Sequence, residues 1–122
     1  NFVIPLCATI HLAGSMITLT CCSTAVILIL GQNPTYGSIL PFILMLGIAM
    51  VAAPGAPGGA VMSALPFFYL IGITGEELQG LMIALYLTQD SFGTAANVSG
   101  DNAIAVFVDW FYKTKIKKEA VA

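Results

Sequence analysis

Charge is what this chain lacks most. Only 8% of its 122 residues are Asp, Glu, Lys or Arg, while 58% are apolar; an ordinary soluble domain is about a quarter charged. One small domain of this length would have too little charge to coat its surface. Cysteines and tyrosines aside, His11 is the one ionisable side chain before Glu76. The formal net charge is -2, with no basic face to neutralise phosphates, which argues against a nucleic-acid partner. Catalytic signatures are missing too: there is no GxSxG elbow, no P-loop and no HExxH pair, so nothing marks an enzyme. Cysteine is sparse. Cys7, Cys21 and Cys22 lie in apolar stretches without metal-ligand spacing, and are expected to be buried free thiols acting as small hydrophobes. The opening NFVIPLC has neither an initiator methionine nor a basic leader region, so a piece of a longer protein is expected. A membrane is the natural solvent for such a composition.

What is present is organised. The four lysines cluster in KTKIKK, residues 113–118, directly after VFVDWFY. Basic residues just beyond an apolar span, with aromatics at the junction, fit a cytoplasmic membrane edge. The first apolar stretch, residues 1–31, is long enough to cross a bilayer. Its middle, ATIHLAGSMITLT, carries His11, Gly14, Ser15 and three threonines, which suits a broken helix lining a polar cavity better than a plain anchor. His11 has no second histidine beside it; a hydrogen-bonded histidine at a helix break and a ligand or proton carrier are both open readings.

After the turn GQNPTYG come two apolar arms, within residues 38–73, around the breaker APGAPGG at 53–59. Each arm is short for a full span. A helical hairpin that enters the membrane and turns back explains both arms and breaker, because bare backbone at that depth survives only against protein or a water-filled cavity. Thr74 is placed to cap a last helix over 76–112, with Glu76 and Glu77 suiting its positive end.

That helix carries a polar stripe. Asp90, Thr94, Asn97 and Asp101 stand at i, i+4, i+7 and i+11, on one face; Ala96, Val98, Ala103 and Ile104 are expected opposite. Acids inside a membrane segment need a partner, and no Lys or Arg precedes residue 113. A cavity with an alkali cation, a proton or a ligand ammonium is the expectation.

NFVIPLCATIHLAGS, APGAPGG and LTQDSFGTAANVSGD fall in the order and spacing of the C-terminal part of the dicarboxylate/amino acid:cation symporters. The chain resembles these glutamate-transporter-like proteins over almost its whole length: seventh transmembrane helix, second re-entrant hairpin, eighth helix. The resemblance implies an all-α membrane protein, part of an elevator-type transport domain in a homotrimer; inverted repeats with midplane sites are established for this class. By position, Asp90 resembles the residue holding the substrate amino group, and Thr94 and Asn97 those around its carboxylate. Asp101 resembles the sodium-ligating carboxylate, assisted by main-chain carbonyls of Cys7, His11 and Asn97. Residues 53–58, with Ala56, Pro57 and Gly58 against the substrate, resemble a gating tip that lends carbonyls to a second sodium.

Three departures shape the expectation. Gly93 stands where acidic-amino-acid transporters of the family carry arginine, so nothing visible matches a substrate side-chain carboxylate; a long side chain at 93 is expected to reach the pocket. The family's NMDGT reads HLAGS here, which puts a third sodium site in doubt. Histidine is also the side chain that changes charge near neutral pH, which leaves proton coupling open. The resulting expectation is sodium symport of a small, neutral amino acid across the plasma (inner) membrane, with the C-terminus cytoplasmic. Acidic amino acid or dicarboxylate symport, proton-coupled or not, is the alternative; a non-transporting anchor or a channel subunit is the alternative of another class.

Overall fold

A computed structural model describes residues 2–117; Asn1 of the expected first span and residues 118–122 of a cytoplasmic tail expected over 113–122 lie outside them. Every regular element among the described residues is helical, without a strand.

The first helix stops with no proline to stop it. Helix α1 covers Val3–Ile10 and α2 covers Ala13–Ile29, with His11 (φ -102, ψ 89) and Leu12 (φ -114, ψ 40) out of helical geometry between them. The cause lies far along the chain. The Gly14 N–H donates to the Asn97 side-chain oxygen at 2.8 Å instead of to the carbonyl four residues back. No backbone donor reaches the carbonyls of Ala8, Thr9, Ile10 or His11. A side chain of the last helix therefore caps α2 and frees the end of α1. Together the two pieces, 3–29, form the one stretch of the described residues long and apolar enough to cross a membrane.

Helix α3, Tyr36–Val51, begins where the Thr35 N–H donates to Ser38 Oγ at 3.1 Å. It ends before the breaker. Helix α4, Gly59–Ala64, runs on as a 3-10 helix over Leu65–Ile71. The arms pack on each other through Phe42 and Phe68, both fully buried, with ring centroids 5.7 Å apart. Leu46, Met50, Val61 and Ala64 extend this core toward the tip. Neither arm reaches the roughly 20 residues of a full span.

Helix α5 is a single element, Glu76–Phe111, of 36 residues; at ~1.5 Å per residue it is roughly 54 Å long. Its N-cap is Gly75 (φ 91), with no side-chain cap bond, so Thr74 does not play the capping part expected of it. A π turn, Tyr112–Ile116, follows. Helices α2 and α5 cross closely enough that a Cβ on Gly14 would overlap the Gly93 carbonyl and lie 2.7 Å from Ala96 Cβ. Ile17, Ile29, Leu44, Ile48, Phe92, Val106 and Phe107 are all more than half exposed, an apolar surface that asks for lipid or another protein face. Cys7 and Cys22 are buried, but Cys21 is exposed, against the expectation for all three.

Candidate functional site

The α1–α2 break, the 53–58 tip and the middle of α5 enclose a cavity of about 260 Å³. His11, Ser15, Tyr86, Asp90, Thr94, Asn97 and Asp101 supply its polar wall, and Pro54, Gly55, Ala56 and Pro57 form its cover. All four residues of the α5 stripe thus reach one space. Val98, expected on the opposite side, lines it as well.

The tip closes onto Asp90. The Gly58 N–H donates to Asp90 Oδ2 at 3.3 Å, which its left-handed backbone (φ 75) directs there. Within the tip, the Pro54 carbonyl accepts from Ala56 N–H and the Ala56 carbonyl from Gly59 N–H, each at 2.8 Å. The carbonyls of Ala53, Gly55 and Pro57 receive no backbone donor.

Asn97 is committed on both sides. Its oxygen accepts from Gly14 N–H, and its nitrogen donates to Ser15 Oγ at 3.0 Å; the residue is 7% exposed. Its side chain joins α2 to α5, so less of it is available to a substrate carboxylate than expected. Ser15 Oγ, having accepted from Asn97, keeps its O–H as a donor on the cavity wall. Thr94 lines the same space.

Asp101, 7% exposed, sits at the cavity floor. Its Oδ1 lies 2.8 Å from His11 Nδ1. Of the three main-chain carbonyls expected near it, that of His11 has no backbone donor, while that of Cys7 accepts the His11 N–H at 2.8 Å. Cys7 is not on the cavity wall. Asn97 lies inside α5, where a helical carbonyl has one lone pair left over. Carboxylates, the free carbonyls that end α1 and the negative end of that helix all favour a cation here.

Gly93 is a correction. It does not line the cavity. A Cβ there would point at α2, 3.2 Å from Thr18 Oγ1 and 3.5 Å from the Gly14 backbone. The angular offset from Asp90 is as expected for a helix, but α2 occupies the side to which it leads.

Tyr86 is the residue missed. It is 1% exposed and shares the wall with Ser15 and Asp90. Its position one turn before Asp90 continues the stripe backwards by i−4, a register that its aromatic, largely apolar character disguises in the sequence.

The site is thus a polar, acid-lined cavity at a helix break of an all-helical chain, wrapped in apolar surface. The chain belongs to the sodium:dicarboxylate symporter family, which matches residues 1–111, a family of transporters rather than enzymes. It is 28% identical over 117 residues to the serine/threonine transporter SstT of Acinetobacter baylyi, covering 93% of this chain and 29% of that protein. It is 29% identical over 109 residues to the serine/threonine transporter SstT of Acinetobacter baumannii, covering 87% of this chain and 27% of that protein. The chain therefore spans less than a third of the length of these relatives. No solved structure matches it.

Proposed function

We propose that this chain forms part of the transport unit of a sodium-coupled symporter for small neutral amino acids, serine and threonine foremost. The observation that carries the reading is a cavity walled by two carboxylates, Asp90 and Asp101, with no lysine or arginine on its wall. Asp90 takes the substrate ammonium, and Thr94 with the Ser15 O–H meets the carboxylate. Asp101 and the unpartnered carbonyl of His11 take sodium, a hard cation that prefers oxygen. A substrate with a second carboxylate would leave that charge unpaired, at a cost of several kcal/mol. The names of the relatives point to the same substrate class.

In this reading residues 36–71 are a re-entrant hairpin whose tip opens and closes over the substrate, and the whole protein is a multi-pass plasma-membrane homotrimer moving as an elevator. Those assignments rest on family likeness.

The test is competition in proteoliposomes carrying the full-length protein under an inward sodium gradient. Unlabelled serine, threonine and alanine should suppress labelled serine uptake at concentrations at least tenfold lower than aspartate, glutamate or succinate. Preference for aspartate would mean that a basic group from outside this chain completes the site, and the neutral-substrate reading would fall.

A further inference from the structure

We infer that the His11 imidazole is a positioning residue for the coupled cation, holding Asp101 so that one carboxylate oxygen stays turned toward the ion. The inference rests on the assignment of Asp101 to the cation made above, and goes beyond it by giving the His11 side chain, rather than its carbonyl, a part.

Two independent features carry it. The first is the contact: His11 Nδ1 lies 2.8 Å from Asp101 Oδ1, with the two side chains 26% and 11% exposed. A carboxylate only accepts, so Nδ1 carries the proton of this bond and the neutral ring suffices. The second is a built seat. A Cβ on Gly100 would come within 2.5 Å of His11 Cε1 and 3.4 Å of both ring nitrogens. The ring thus rests against the α5 backbone at the residue before Asp101, in space that only glycine leaves open.

The consequence follows from the donor count. One oxygen of Asp101 is spent on the imidazole, and Oδ2 accepts from no protein donor among the described residues. A carboxylate fixed by one hydrogen bond offers its other oxygen in a set direction, as outer-shell donors do for other metal ligands. His11, at the helix break, also lines the cavity, and its carbonyl has no backbone donor. Without the imidazole, Asp101 would rotate or hydrate, and the ion would meet a less ordered ligand.

The experiment uses the full-length protein in liposomes and reads the sodium concentration for half-maximal serine uptake, alongside the serine KM at saturating sodium. His11→Leu should raise the half-maximal sodium concentration about tenfold or more, in line with losing a hydrogen bond to a charged group, while serine KM moves less than about threefold. Gly100→Ala should do the same by displacing the ring without removing it. His11→Asn should recover most of the loss, because its amide nitrogen sits at the same chain position as Nδ1; His11→Gln, one carbon longer, should not. A sodium dependence unmoved by His11→Leu, or moved equally by Asn and Gln, overturns the inference. Should leucine prevent membrane insertion, the Asn–Gln comparison alone decides. Asp101→Asn is the control for the underlying reading. If it leaves sodium dependence unchanged, the cation is elsewhere; if it abolishes it while His11→Leu does nothing, only the role of His11 fails.

Discussion

At the scale of single residues, the site depends on what each side chain has already spent. Asn97 gives both ends of its amide to α2, and Asp101 gives one oxygen to His11. Gly93 spends its lack of a side chain on the crossing with Gly14. This decides a substitution that position alone would recommend. Gly93→Arg looks like a way to install a partner for acidic substrates. Its first carbon would instead crowd Thr18 Oγ1 and rest against the Gly14 backbone, leaving the rest of the arginine to overpack the α2–α5 crossing, and overpacking of this kind costs about 1–3 kcal/mol. The variant should melt several degrees lower in detergent and gain no aspartate uptake. Robust aspartate transport by Gly93→Arg at an unchanged melting temperature would show that the side chain reaches the cavity after all. The stripe on α5 was readable because helical periodicity fixes which residues share a face. Which neighbour each flank meets was not, since α2 lies about 80 residues away in sequence, as the Asn97–Gly14 bond with its separation of 83 residues illustrates.

At the scale of elements, the tip was the most legible feature, since proline and glycine act through the local backbone. Their individual weights needed coordinates. Gly58 holds φ 75, a conformation that costs an L-residue about 1–2 kcal/mol, and its N–H meets Asp90. At Gly59 a Cβ would overlap the Pro54 carbonyl, whereas at Gly55 the nearest atom, the Ala8 carbonyl oxygen, is 3.8 Å away. Gly55→Ala should therefore transport within about twofold of the parent. Gly58→Ala and Gly59→Ala should lower uptake several-fold at normal membrane abundance, and Gly58→Ala should also raise the serine KM by loosening the cover over Asp90. Equal damage from all three, measured as initial uptake rates, would mean that tip composition rather than this geometry governs uptake. The α1–α2 break was legible as a location, from the polar cluster around His11. Its cause was hidden, because a cap supplied by a distant side chain leaves no local signature. The α5 start shows the same limit: Thr74 has the right chemistry, but Gly75 takes the cap position with φ 91 and ψ 151.

At the scale of the whole molecule, one helix end sets the depth of everything else. Trp110, Phe111 and Tyr112 are each about half exposed at the end of α5, and Lys113, Lys115 and Lys117 follow at once. Exposed aromatics followed by lysines are the pattern expected of a cytoplasmic interface, and the proposed reading puts the end of α5 at one; the Lys113–Asp109 pair at 2.7 Å is exposed and too solvated to compete with that placement. Taking Phe111 as the edge, Asp101 lies ten residues up a continuous helix, about 15 Å deep at ~1.5 Å per residue. That is half of a hydrocarbon core of about 30 Å, so on the proposed placement the acid-lined cavity would fall at the midplane, where the proposed carrier would need its site. The orientation is open to direct measurement. In an otherwise cysteine-free full-length protein, Lys115→Cys should react with a membrane-impermeant maleimide in inside-out vesicles and stay unlabelled in right-side-out ones. A cysteine at Ser99, whose hydroxyl is spent on the Ala95 carbonyl at 2.8 Å, should react far more slowly from either side. Labelling of Lys115→Cys from the outside would invert the protein, and fast labelling at both positions would remove α5 from the bilayer altogether.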